Sequence, residues 1–368
     1  MSKSLPRRAS DQSMTTLSRL LLPPNIGHGP VAAAWETPLT EMSRREFDNL
    51  LDLADLNHVT MRGLEVFHTM MLDARDEMRA DWAAAALATE RSRIQNATMF
   101  LHVVCAAFAE EGYDATVMKS LDHWPDLGSD LDLFTSADPQ DVIQMMKTRF
   151  RAHLAPRSWG DRLARKWNFM LPGLPEPVEV HMGRLGQTGE QFSIAASLPR
   201  RARLVQVDGF EFRVPSASDR IMVSTLQRMY RHFFFRLCDV IDSAALADGG
   251  EIDYDDLCSS ARRAGIWEGV ATYLMIVSDY VKKYRGSGLR LPRFVEAAAR
   301  FGGSEIYFRK DFLRVPIMPQ SAGLYGLQLS SLLRRRELQS SARLGLLPWL
   351  ATAAMVGQKI TGSDKGIW

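Results

Sequence analysis

The residues with the clearest capacity for chemistry lie in the stretch Met118–Phe134, MKSLDHWPDLGSDLDLF. Asp130 and Asp132 stand one residue apart, interleaved with Leu131, Leu133 and Phe134. In an extended strand successive side chains point to opposite faces, so the two aspartates share one face and the two leucines the other. Carboxylates side by side repel each other unless positive charge lies between them. A hard divalent cation with oxygen ligands meets that need, and Mg²⁺ suits a site that also receives substrate phosphates. Further along, Pro177-Val178-Glu179-Val180-His181 alternates in the same way and puts Glu179 and His181 on a shared face.

The order Met118-Lys119-Ser120, then Asp130-Leu131-Asp132-Leu133, then Val178-Glu179-Val180-His181 resembles the DNA polymerase β-type nucleotidyltransferase superfamily. More narrowly it is similar to a bacterial family of uncharacterised nucleotidyltransferases, which reads leucine-lysine-glycine, aspartate-x-aspartate, glutamate-x-histidine. The likeness spans roughly residues 101–242. It implies an α+β class, the nucleotidyltransferase fold: a small mixed β-sheet with helices, flanked by N- and C-terminal helical regions. It also implies transfer of a nucleoside monophosphate from a nucleoside triphosphate to a small-molecule (sugar or metabolite) or protein hydroxyl, with release of pyrophosphate. Two Mg²⁺ ions would be held by Asp130, Asp132 and Glu179, with Glu179 serving the ion that activates the acceptor. Lys119, Ser120 and Ser129 would receive triphosphate oxygens, and His181 would orient the acceptor or support the ligands. Arg228, His232, Arg236 and Asp239 recur at helical spacing and match a basic, histidine-bearing helix of that family, as contacts to triphosphate or acceptor. The stripe reads equally as a salt-bridged surface.

The match has departures. The superfamily turn usually carries glycine where Lys119 stands, the narrower family has glycine where Ser120 stands, and no arginine occurs between Lys119 and Asp130. Two rival readings follow: a catalytically impaired nucleotide- or partner-binding module of the same fold, and a metal-dependent sugar-nucleotide glycosyltransferase. Thr135 invites comparison with haloacid dehalogenase-type phosphatases, but the glycine that follows at once in their motif is absent.

These residues need elements to position them. Ala115-Thr116-Val117-Met118 reads as a strand leading into Lys119, and residues 166–171 and 177–182 as a hairpin around Pro172-Gly173-Leu174-Pro175. Asp208-Gly209 marks a second hairpin. Ser43 with Glu46 forms a capping-box signature, and residues 80–111 a long helix ended by Gly112. Asp138-Pro139 opens a helix, and Pro215–Ser218 opens another that the pattern carries from Arg220 through Ala247. The expected organisation is a mobile tail or surface strap over 1–40, a helical region 41–112, the catalytic core 113–215, a helical domain 216–285 and an extension 286–368 without a functional reading. His58 and His68 lack helical metal spacing with a partner and read as ordinary surface or half-buried residues.

Composition narrows the partners. The 368 residues, 46% hydrophobic and 24% charged, are those of a globular protein, and a net charge of +2 argues against dedicated nucleic-acid binding. Cys105, Cys238 and Cys258 form neither a metal-ligand pattern nor a disulfide framework, which points to a reducing cytoplasm. No window reaches the roughly 20 apolar residues of a membrane span. Residues 344–360 come nearest but are broken by glycine, proline and lysine, which leaves at most a peripheral association, and Arg334-Arg335-Arg336 reads as a solvated face.

Overall fold

The computed structural model describes residues 7–23, 39–350 and 352–353. Four helices come first: α1 (Arg7–Leu21), α2 (Arg44–Leu56), α3 (Thr60–Asp73) and α4 (Glu77–Glu110). The expectation of a mobile tail over 1–40 is corrected for α1, which packs on α2 and α3 and buries Met14, Leu17 and Leu20. Its apolar residues fall at three-residue spacing, a stripe too short to stand out among the flanking serines and arginines. Residues 1–6 and 24–38 of that stretch, like 351 and 354–360 of the later apolar one, lie outside the described residues. The capping box forms as expected: Ser43 Oγ accepts from the Glu46 amide at 3.3 Å and Glu46 Oε2 accepts from the Ser43 amide at 2.8 Å.

A five-stranded open sheet follows, built from β1 (Thr116–Met118), β2 (Leu131–Thr135), β3 (His153–Leu154), β4 (Lys166–Met170) and β5 (Val178–Met182) in the order β1-β2-β5-β4-β3. Helices α5 (Pro139–Phe150) and α6 (Trp159–Leu163) interrupt it in sequence. The β2–β5 pairing is parallel and the other three are antiparallel, so the architecture is mixed α+β with a small open sheet. The pleat sorts the side chains. Leu131, Leu133, Val178, Val180, Trp167 and Phe169 join one apolar core with α3 and α4. Alternation therefore turns Asp132, Glu179, His181 and Lys166 to the opposite face. There Met118 and Phe134 join a second core with the helices downstream.

After α7 (Phe192–Arg201), strands β6 (Arg203–Val207) and β7 (Phe210–Val214) form the expected hairpin, with φ of 52° at Asp208 and 80° at Gly209 as a tight two-residue turn requires. The expected helix from Arg220 to Ala247 is corrected: it breaks into α8 (Ala217–Thr225), a π-helical turn Leu226–Arg231, β8 (Phe234–Phe235) and α9 (Leu237–Asp248). The cause lies 80 residues on. After α10 (Tyr254–Ala264), α11 (Trp267–Arg285) and α12 (Arg293–Ala298), the hairpin β9 (Tyr307–Arg309) and β10 (Phe312–Arg314) pairs antiparallel with β8. The Val315 amide also donates to the Phe233 carbonyl at 2.9 Å, and Phe233 takes a φ of 56° to make the turn. Helices α13 (Ala322–Arg334) and α14 (Leu338–Gly345) close the chain. Arg334, Arg335 and Arg336 are exposed, and no helix among the described residues is long and apolar enough to cross a membrane.

Arg62 ties three of these regions together. Its guanidinium reaches Asp126 before β2 and Asp242 on α9, both at 2.6 Å, while Asp126 also accepts from the Met61 amide at 2.6 Å. Asp126 is buried, so removing the cation strands its carboxylate in a poorly solvated place. Arg62→Leu is expected to lower unfolding stability by about 3–5 kcal/mol in urea titrations, far more than an exposed pair such as Arg44–Asp48, worth about 0–1 kcal/mol.

Candidate functional site

The parallel register sets Asp132 directly beside Glu179 and Phe134 beside His181. All four side chains lie on the face away from α3 and α4. Asp130 comes immediately before β2 and lines the same cleft, a cavity of about 240 Å³. The acids are not left bare. The Lys119 ammonium pairs with Asp132 and lies 3.5 Å from Glu179 Oε1, and Lys166 Nζ stands 3.0 Å from both Glu179 Oε2 and Asp161 Oδ1. His181 Nε2 sits 2.9 Å from Glu179 Oε1 and 3.8 Å from Asp132 Oδ1.

The charges titrate apart. Burial pushes the Asp132 carboxyl up to about 6, Lys119 opposing it and the neighbouring carboxylates adding to it. Burial also works against the Glu179 anion, but Lys119, His181 and Lys166 hold it well below the usual carboxylate range. Of the two adjacent acids, Glu179 is thus the firmly ionised one.

The Ser120 hydroxyl, expected at phosphate, accepts from the Asp132 amide at 2.8 Å and donates to the Asp130 carbonyl at 3.3 Å, so it pins the start of β2. Lys119, also expected at phosphate, is ion-paired with the acids in this structure. It takes a φ of 58°, a conformation that glycine adopts more freely than lysine. Ser129 lines the cleft.

The expected helical stripe dissolves with its helix, yet Arg228, His232 and Arg236 still face the cleft because the chain turns at Phe233. Asp239 does not. It lies behind, 2.7 Å from Arg228 Nε, and accepts from the Arg236 amide at 2.7 Å, so it fixes two arginines and contacts no ligand space. Arg236 and Arg231, which also lines the cleft, have no carboxylate within ion-pair distance among the described residues. Burial and the neighbouring Arg228 push the Arg236 guanidinium down. Burial and the same arginines push His232 down to about 2.

Sequence reasoning missed His58, His123, Lys166 and Arg231. Lys166 was legible in principle, since the expected hairpin register places it opposite His181. His58 carried no local signal: it meets the cleft only through the packing of α3, where a Cβ on Gly128 would stand 2.9 Å from its ring.

Among the described residues two buried groups could hold a metal ion, Asp132–Glu179–His181 and His58–His123–Cys238, with ligand atoms within 4.8 Å of one another in each. In the second, His123 Nδ1 is engaged by Asp242 at 2.5 Å, and Arg236 lies 3.4 Å from His58 Nδ1. Burial disfavours the His123 cation, but Cys238 and Asp242 facing its two nitrogens raise its pKa well above the usual range. Cationic side chains stand beside both groups, Arg236 at the second and Lys119 and Lys166 at the first, but only the first offers two carboxylates to the cleft. His58 is held neutral by burial and by Arg236.

A histidine buried in its neutral form gives full stability above its unfolded pKa of about 6.5 and loses it as the unfolded chain takes up a proton below that. Acidification from pH 7 to pH 5 is expected to cost about 2 kcal/mol for each of His58 and His232. His123, with its raised pKa, gains stability over the same interval. Urea titrations of His58→Gln/His232→Gln beside wild type cancel the His123 contribution, and the double variant is expected to lose less stability than wild type over that interval.

No protein-family model matches the sequence, and no curated protein matches it.

Proposed function

We propose that the chain is a Mg²⁺-dependent nucleotidyltransferase, moving a nucleoside monophosphate from a nucleoside triphosphate to a hydroxyl and releasing pyrophosphate. One observation carries this reading: Asp132 and Glu179 lie side by side on neighbouring strands, with Asp130 at the strand entrance, facing the unpaired guanidinium groups of Arg231 and Arg236 across one cleft. Acids on one wall and free cations on the other suit a metal-bound polyphosphate.

The donor set fits Mg²⁺. The carboxylates are hard oxygen ligands, and the ammonium of Lys119 against Asp132 and near Glu179 marks a place where positive charge is favoured. Asp130, Asp132 and Glu179 would hold the metal, which when bound supplies Lewis-acid charge at the transferring phosphoryl group and lowers the pKa of the attacking oxygen. The chain's own residues do the rest. Arg236 and Arg231 bind the triphosphate, with neutral His232 lining the same cleft. Lys119, once displaced from the carboxylates, pairs with phosphate oxygens as a point charge. The acceptor oxygen bonds to the α-phosphorus, the bond to the β-phosphate oxygen breaks, and the hydroxyl proton passes to the Glu179–His181 pair. Lys166, fixed by Asp161, keeps Glu179 oriented throughout.

A second reading has one specific observation in its favour. Two lysines already compensate the acids, as they would in a module that binds nucleotide without turning it over.

Pyrophosphate release with each of the four ribonucleoside triphosphates and Mg²⁺, over a panel of hydroxyl acceptors, decides between them. Asp132→Asn and Glu179→Gln are expected to lower kcat by about 10²–10⁴-fold, while Arg236→Ala raises KM for the triphosphate about tenfold or more. Tight nucleotide binding by calorimetry, with equal background release from wild type and all three variants, would leave only the binding module standing.

A further inference from the structure

Adjoining the acidic cleft, and sharing Arg231 with it, lie two cavities whose further lining the catalytic reading does not use. The inner one, about 50 Å³, is lined by His181, Tyr230 and Gln328, and the outer one, about 590 Å³, shares His181 and Tyr230 with it. Gln328 on α13 is 1% exposed, and neither its amide nitrogen nor its amide oxygen has a hydrogen-bond partner. His181 Nδ1 is equally buried and unpartnered, its Nε2 being engaged by Glu179. Buried polar atoms are rarely left unsatisfied, so two of them on one cavity point to a ligand that supplies the partners.

The outer walls are of another kind. Phe233, Ile317, Tyr325, Leu347 and Pro348 give an apolar lining, and Trp159 and Trp349, on the segments that supply it, are 60% and 76% exposed. The wall from the C-terminal extension is pinned in place. Arg343 donates to the carbonyls of Leu163 at 3.1 Å and Thr188 at 2.7 Å, and the Tyr325 hydroxyl donates to the Leu344 carbonyl at 3.0 Å. Lys166, which pairs with Glu179, lines both this cavity and the acidic cleft.

We propose that these cavities are the acceptor site, and that the acceptor is an amphipathic small molecule. Its apolar, ring-sized body fills the space between Tyr230 and the extension, and its polar end, bearing the hydroxyl, meets Gln328 and His181 beside Glu179. The volume falls within the roughly 300–1,000 Å³ of small-ligand pockets. A polyhydroxylated sugar does not suit the apolar walls. The assignment of acceptor rests on the nucleotidyl-transfer reading; the chemistry of the ligand rests on the cavities alone.

Calorimetry on the full chain tests it with 2-naphthol as probe and D-glucose as comparison, in the presence of Mg²⁺ and α,β-methylene-ATP. One molecule of 2-naphthol is expected to bind per chain, and glucose not at all. Gln328→Leu is expected to weaken 2-naphthol about five- to tenfold through one lost hydrogen bond, and Ala322→Trp, which fills the outer cavity, by more. Because Gln328→Leu removes a buried unpaired amide, its Tm is expected to rise or hold, which separates lost binding from misfolding. Absence of 2-naphthol binding, glucose bound as tightly, unchanged affinity in both variants, or exclusion of 2-naphthol by the nucleotide analogue would each overturn the proposal. Binding of 2-naphthol without any pyrophosphate release would remove the transfer reading and leave the ligand class intact. Release without naphthol binding would do the reverse.

Discussion

The parallel pairing of β2 with β5 is the constraint on which the rest of the molecule depends. Its register brings Asp132 and Glu179 together on a face from which bulk water is largely excluded. Like charges so placed are tolerated only with compensation nearby. The structure meets the requirement with two lysines from other segments, Lys119 from the turn after β1 and Lys166 from the start of β4, the latter also held by Asp161 of α6. The positive φ of Lys119 belongs to this arrangement, since the residue that ends β1 must also turn its ammonium back onto the sheet.

The pleat converts that local pairing into a global division. One face of the sheet is apolar and shares a core with α3 and α4, while the other carries the charged groups and borders the second core. The N-terminal helices are therefore the second half of the sheet's own core and no separate unit. Arg62 links them, through Asp126 and Asp242, to the loop that presents Asp130 and to α9. The extension after residue 286 takes part as well. Its β10 pairs with β8, breaks what is otherwise a helical pattern, and so directs Arg236 and His232 into the cleft, while α13 and α14 wall the adjoining cavities.

The sequence by itself determined what depends on near neighbours. The period-two alternation around Asp130 and Glu179, the Asp208-Gly209 turn, the Ser43 capping box and the long α4 are all set by local sterics and hydrogen bonding. The residues expected to form the site do gather in one cleft, apart from His181 at its edge and Asp239 behind it. Only the tertiary structure decided how their charges are spent. That Ser120 serves the backbone, that Lys119 neutralises Asp132 and that Arg228 is taken by Asp239 all follow from contacts across 11 to 13 residues of chain whose geometry depends on distant packing. The fate of residues 226–235 was out of reach for the same reason. Helical periodicity there is real, but a strand 80 residues away offers Phe234 and Phe235 hydrogen-bonded pairing, and that long-range partner outweighs local preference.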